Sequence, residues 1–348
     1  MDNFKQLSLD LGESNSIMAD STLQQSTAQH LTLLEKIEKS KNSLRLACDM
    51  SKEFYGKPLI ITYSGGKDSD VLLHLAETTL NTDEFEVMNS HTTVDAPETV
   101  YHIREVFKRL EEKGVKTFID YHKKDGNTIT MWNLIPYKIS PPTRLARYCC
   151  QILKETGTPN RLACLGVRRD ESAKRRGRDT FGIRTSTYDK AQFYSLEHAQ
   201  EVFKDAQEMQ DPVWDCTLIK NMREHGDVVV NPIYEWSDCD VWDYIKQENI
   251  KTNPLYERGY KRVGCILCPM ATYKQKKREM KDYPTYKQAY IHAFDEMLKE
   301  MRRRQNDPSY RGCKKEIRWK NGEDVFWWWI EEGKRNCKGQ IGLFDENS

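Results

Sequence analysis

Apolar and polar positions change period several times along this chain. Between residues 28 and 54 apolar side chains return at Leu31, Leu34, Ile37, Leu44 and Cys48, close to the spacing of a helix with one buried face. Gly56 and Pro58 then end it. A strand–helix rhythm follows. Residues 59–63 predict a buried strand, and residues 68–79 a helix with Val71, Leu72, Leu75 and Ala76 on one face. Residues 85–92 and 115–121 predict two more strands. Between them, residues 97–112 predict a helix with proline in its first turn. Residues 161–167 and 228–233 predict further strands. Such alternation builds a doubly wound α/β fold, a parallel sheet with helices on both faces. Ligands then bind at the carboxyl ends of the strands.

Two stretches break the rhythm. Residues 123–160 and 178–225 read as insertions carrying loops and short helices within an α/β domain spanning 27–270. Before that domain lies a polar arm, residues 1–26, rich in Ser, Thr and Gln. After it, residues 271–348 turn helical and basic. Tyr286, Tyr290, Phe294, Met297 and Met301 fit one helix face. The run Phe326-Trp327-Trp328-Trp329 reads as a packing block that docks this region, with base stacking as the other use of such rings.

Composition narrows the class. The 348 residues are 38% hydrophobic and 31% charged, as expected for a polar globular protein. No apolar run nears the roughly 20 residues needed to span a bilayer. Residues 1–30 have no apolar stretch behind a basic start, so no secretory leader is expected and a cytoplasmic location follows. The net charge of +1 hides an uneven distribution. Residues 274–320 hold 15 Lys or Arg against 7 Asp or Glu. A second basic group is Arg168, Arg169, Lys174, Arg175, Arg176 and Arg178. Either is a solvated face or a surface for a polyanion such as nucleic acid.

The stretch Ser64-Gly65-Gly66-Lys67-Asp68-Ser69 follows the first strand and opens a helix. Amides at a helix N-terminus attract anions, and glycines let the main chain approach phosphate closely. The spacing is not that of a Walker A loop. Ten cysteines are present. In a cytosolic setting they are not expected to pair as disulfides. Two groups stand out, the adjacent Cys149-Cys150 and the C-x-x-C of Cys265 and Cys268. A C-x-x-C alone serves a zinc half-site or a redox pair.

The loop resembles the PP-loop of ATP pyrophosphatases, Ser-Gly-Gly-x-Asp-Ser, and implies an adenine nucleotide alpha hydrolase-like fold. On that resemblance Ser64, Gly65, Gly66, Lys67 and Ser69 hold phosphate, and Asp68 caps the helix or assists Mg²⁺. Four later stretches resemble the phosphoadenosine phosphosulfate reductase branch: "DAPETV" at 95–100, "LGVRRDESAKR" at 165–175, "NPIYEWSDCDVWDYI" at 231–245 and "NPLYERGYKRVGCILCP" at 253–269. The second of these implies a nucleotide site with Arg168, Glu171, Ser172 and Arg175, the two arginines neutralising phosphate or sulfate. The two cysteine groups together resemble the ligand set of adenylylsulfate reductases. That implies a [4Fe–4S] cluster on Cys149, Cys150, Cys265 and Cys268, with zinc on the same four thiolates as the alternative. Adjacent cysteines diverge too far to share one small ion easily.

The tail "KRNCKGQIGLFDENS" lacks the Glu-Cys-Gly-Leu-His of the sulfonucleotide reductases. Cys337 nevertheless sits among Lys334, Arg335 and Lys338, which would favour a thiolate, and stays a catalytic candidate beside Lys67, Asp68, Arg168 and Arg175. The intact PP-loop and basic C-terminal region resemble the ATP pyrophosphatases of DNA phosphorothioation. This implies ATP cleavage, sulfur transfer to a nucleic-acid backbone and a cysteine desulfurase or other sulfur donor as partner. The alternatives are a thiol-dependent reductase acting on an adenylyl sulfonucleotide, a tRNA thiolation enzyme and a non-catalytic nucleotide-binding partner. Finally, "QLSLD" at 6–10 and "QIGLF" at 340–344 resemble sliding-clamp peptides.

Overall fold

A computed structural model describes residues 31–155, 158–172, 175–183, 192–208, 216–311 and 317–335. Cys337, residues 1–26 and both clamp-like peptides lie outside the described residues. The first helix, α1 (Leu33–Met50), begins at a capping box, in which Thr32 and Glu35 each bond the other's backbone amide. A short π-turn, Ser51–Tyr55, ends at Gly56 in the left-handed region, φ +59°. The expected start at residue 28 moves to 33, where the cap can form.

The sheet strands are β1 (Leu59–Thr62), β2 (Phe85–Ser90), β3 (Lys116–Asp120), β6 (Ala163–Cys164), β7 (Phe181–Ile183), β8 (Gln192–Tyr194) and β9 (Val228–Val230). A separate two-stranded hairpin is formed by β4 (Lys123–Lys124) and β5 (Asn127–Thr128). The sheet order is β3-β2-β1-β6-β9-β7-β8. All neighbours from β3 to β9 are parallel. At the far edge β7 runs antiparallel to β9 and to β8. The stretch 178–225 therefore does more than interrupt the rhythm, because it completes the sheet edge. Strands of three residues are too short to show a period.

The chain runs outward from β1 to β3, then crosses back to β6 on the other side of β1. Helices α2 (Lys67–Thr79) and α3 (Pro97–Glu112) make the two outward crossovers, and the chain between β3 and β6 makes the return. The winding direction thus reverses between β1 and β6, which places a crevice at their carboxyl ends. The strand expected over 161–167 closes after Cys164, and the one over 228–233 after Val230. Beyond those points single bonds persist, such as Leu165 N–H to the Val230 carbonyl at 2.8 Å, while the chain leaves the sheet plane to form the rim.

The remaining helices are α4 (Met131–Lys138), α5 (Tyr148–Leu153), α6 (Leu196–Glu208), α7 (Thr217–Arg223), α8 (Asp238–Gln247), α9 (Tyr273–Asp282), α10 (Pro284–Asn306) and α11 (Gly322–Arg335). Two cores result. One packs the sheet against α1, α2, α3, α6, α7 and α8. The other joins α4 and α5 to α9, α10 and α11, and draws residues from both sides of position 270. Phe326 and Trp329 are fully buried in it, and the Trp329 indole donates to the Pro142 carbonyl at 2.5 Å. The aromatic block is thus a packing element, except at Trp327, which is 40% exposed. Among the described residues no helix is long and apolar enough to cross a membrane.

Candidate nucleotide site and cysteine centre

The loop from Ser64 to Ser69 closes on itself through one hydroxyl. Ser69 Oγ accepts from the Gly66 amide at 3.1 Å and the Ser64 amide at 3.3 Å, and donates to the Gly66 carbonyl at 2.7 Å. Ser69 is buried and shapes the cradle from inside. Gly65 has φ +71°, and a Cβ there would stand 3.0 Å from Ile103 Cγ1 and 3.1 Å from Thr99 Cγ2. Both conformation and space therefore demand glycine. Gly65→Ala is expected to cost about 1–3 kcal/mol of stability and to weaken nucleotide binding. Thermal melting with and without ATP checks this. An unchanged melting temperature with the wild-type ATP shift would refute it.

A four-charge lattice surrounds the loop. Lys67 Nζ lies 3.0 Å from Asp68 Oδ1 and 2.8 Å from Asp238 Oδ1. Arg168 Nε reaches Asp68 Oδ1 at 2.6 Å, and its Nη2 reaches Asp238 Oδ1 at 3.0 Å. Lys67 and Arg168 are buried, whereas Asp238 faces outward at the start of α8. Its carboxyl is held below the ordinary carboxylate range, chiefly by the hydrogen bond from Lys67. Gly166 lets this segment approach, since a Cβ there would lie 3.1 Å from the Asp68 carbonyl oxygen.

The segment after α8 closes the other side. Buried Asn253 donates from Nδ2 to the Gly65 carbonyl and to Thr99 Oγ1, both at 3.0 Å. The Lys67 amide donates to the Tyr256 hydroxyl at 3.0 Å. Beneath the loop, the Tyr63 hydroxyl donates to Asp70 Oδ1 at 2.6 Å and lies 2.9 Å from His102 Nε2.

Of the other expected residues, Glu171 accepts the Arg168 amide at 3.2 Å and pairs with Arg175. Ser172 is exposed, and its carbonyl accepts the Arg175 amide at 2.9 Å. The Arg175 guanidinium is brought down to about 10, first by burial and then by the nearby charges of Arg178 and Arg262. Asp68 and Arg147 also act on it.

The cysteines gather on the same side. Cys265 forms an isolated antiparallel bridge with Asp95, and the Ile266 amide donates to the Val94 carbonyl at 2.8 Å. Leu267 takes the left-handed conformation, φ +57°, and its amide donates to the buried Glu279 carboxylate at 2.7 Å. Burial raises the Glu279 carboxyl above its ordinary range. From α5, the charge of Cys149 couples to those of Cys150, Cys265 and Cys268. The Cys149 thiol hydrogen-bonds Cys150, which pulls Cys150 down. Arg147 Nη2 also donates to Cys150 Sγ, at 3.5 Å. Lys154, an exposed residue, is raised, first by Cys265, then by Asp95, Cys150 and Cys268. Cys150, Cys265 and Cys268 are thus within electrostatic reach of one ammonium. Among the described residues, no three His, Cys, Asp or Glu side chains are already set around one ion position.

Asp238, Asn253, Tyr256, Arg147 and Arg262 were not singled out in the sequence. Four of them lie inside or beside the stretches quoted above. Nothing local distinguishes them from ordinary polar positions.

A parallel sheet with its winding reversal at a glycine phosphate loop, capped by side chains from two later segments, defines a nucleotide-binding protein of the PP-loop type. Residues 58–271 match the phosphoadenosine phosphosulfate reductase domain, and the chain belongs to that family. It shares 25% identity over 237 residues with an uncharacterized protein of Methanocaldococcus jannaschii, covering 66% of this chain and 39% of that one. Sulfate adenylyltransferase subunit 2 of Shewanella amazonensis is 27% identical over 242 residues, 67% of this chain and 70% of the relative. Adenosine 5'-phosphosulfate reductase of Anoxybacillus flavithermus is 20% identical over 232 residues, 64% and 77% of the two chains.

Proposed function

We propose that this protein cleaves ATP to pyrophosphate at the Ser64–Ser69 loop and uses the adenylated acceptor for sulfur transfer. The observation that carries the reading is a single segment, 253–268. Its first residues close the phosphate loop through Asn253 and Tyr256, and its last carry Cys265 and Cys268. Nucleotide and sulfur chemistry therefore share one rim.

In the proposed reaction an acceptor oxygen attacks the α-phosphorus of ATP and pyrophosphate leaves. A persulfide sulfur supplied by a desulfurase-type donor then displaces AMP from the acceptor, and a thiol reductant cleaves the remaining S–S bond, supplying two electrons and leaving the sulfur on the acceptor. Lys67 and Arg168 would neutralise the phosphates, with Arg175 and Arg262 meeting the acceptor's charge. Mg²⁺ would arrive with ATP, and Asp68 and Asp238 are the carboxylates at hand for it. The donor set of Cys149, Cys150, Cys265 and Cys268 fits a [4Fe–4S] cluster in its chemistry. It comprises four thiols, with an ammonium and a guanidinium beside them to favour thiolates. Bound there, a cluster would supply an iron site for sulfide or for electrons. The acceptor is proposed to be a nucleic-acid backbone, since residues 274–320 are strongly basic.

The test is pyrophosphate release by purified protein, with ATP and a sulfide donor, in the presence and absence of DNA. Release stimulated by the acceptor is expected, and none under any condition would overturn the reading. The relative that is an adenosine 5'-phosphosulfate reductase favours a second reading, reduction of a sulfonucleotide. There Cys337→Ser abolishes sulfite release from adenylylsulfate, while under the first reading it leaves pyrophosphate release at the wild-type rate.

A further inference from the structure

Away from the phosphate loop, α4 and α10 enclose an open groove of about 700 Å³. Its rim is built from elements with little other reason to carry such side chains. Tyr137, on α4, is 57% exposed, and the ammonium groups of Lys124 and Lys138 lie 5.1 and 5.8 Å from its ring centre. Among the described residues neither lysine makes an ion pair. The facing wall is α10, whose Lys299 and Arg303 side chains are 67% and 65% exposed. Both pair with glutamates on their own helix that line the same groove, Lys299 with Glu296 and Arg303 with Glu300. Arg304 closes the end by donating to the Tyr137 carbonyl at 3.4 Å.

An exposed ring flanked by cations offers a stacking face with phosphate partners on either side. Duplex bases are already stacked and cannot use such a ring. We propose that this groove binds single-stranded nucleic acid, with one base on Tyr137 and the backbone along Lys299 and Arg303. The groove also touches the cysteine centre from behind. Trp132 in its wall packs edge-on against Tyr290 at 5.1 Å, and the Tyr290 hydroxyl donates to the Ile266 carbonyl within the C-x-x-C. A strand held here would lie two rings, Trp132 and Tyr290, away from the C-x-x-C. Since α10 falls beyond the 58–271 family segment, that wall of the groove is an addition to the shared domain, whereas α4 with Tyr137 belongs to it.

The experiment is fluorescence anisotropy of the full chain with a labelled single-stranded oligonucleotide over a salt series. Tyr137→Ala is expected to weaken binding about tenfold, and Tyr137→Phe, which keeps the ring, to bind as wild type. Lys299→Ala with Arg303→Ala is expected to lower the magnitude of the log–log salt slope by about 1.4, two phosphate contacts at about 0.7 each. Melting temperatures of the variants verify folding. Three results would overturn the proposal: variants that bind like wild type, tighter binding of the duplex, or equal competition by polyglutamate, which would mark an acidic-protein surface. Pyrophosphate release is read in parallel. Its loss with intact strand binding refutes the catalytic reading alone, and the reverse refutes the groove alone.

Discussion

Lys67→Ala is expected to lower pyrophosphate release from ATP by about 100-fold or more, the loss seen when one preorganised charge is removed from a phosphoryl or acyl transition state. The geometry explains why the effect should fall on catalysis and spare folding. Lys67 Nζ sits between Asp68 and Asp238 at 3.0 and 2.8 Å. Arg168 pairs with the same two carboxylates at 2.6 and 3.0 Å. Removing the ammonium therefore leaves neither carboxylate without a cation. The variant should melt near the wild-type temperature yet fail to offset charge developing on the leaving pyrophosphate. Lys67→Arg keeps the charge, but its planar fork does not fit where a compact ammonium bridges two oxygens, so only partial recovery is expected. Wild-type turnover in Lys67→Ala would show that the loop binds nucleotide without cleaving it.

Serine at Cys150 or Cys265 is expected to reduce iron and acid-labile sulfide in anaerobically purified protein to near zero and to remove its visible absorption. Cys150 accepts hydrogen bonds from Cys149 and Arg147, and Cys265 is the thiol that most raises Lys154. Each is therefore the anchor of its own group. Cys239→Ser is the control, because that thiol is exposed on α8 and belongs to neither group. One equivalent of zinc with no sulfide in the wild type would replace the cluster by a structural metal. Full iron in either variant would remove the four-cysteine assignment.

Much of the nucleotide site was legible in the chain because its parts are contiguous. A strand, a two-glycine turn and a helix start occupy residues 59–69, and the constraints that shape them are local: an amide row, a left-handed glycine, a hydroxyl that closes the turn. The cysteine groups were legible only through resemblance, since 115 residues separate them and no spacing rule joins them. Arg147 and Arg262 illustrate the limit. Each reads as a surface cation, and only the folded chain brings both near Arg175.

By itself the sequence determined the alternation that makes a parallel sheet, the place of the phosphate loop on it and the residues able to bind sulfur-loving metals. Those follow from backbone chemistry and burial period, which act over a few residues at a time. The tertiary structure alone decided that Asp238 and Asn253 complete the loop, that β7 and β8 seal the sheet edge, and that one core wraps α4 and α5 with the C-terminal helices. Those choices depend on how apolar faces from distant segments pack together, and that packing is set by the whole chain at once.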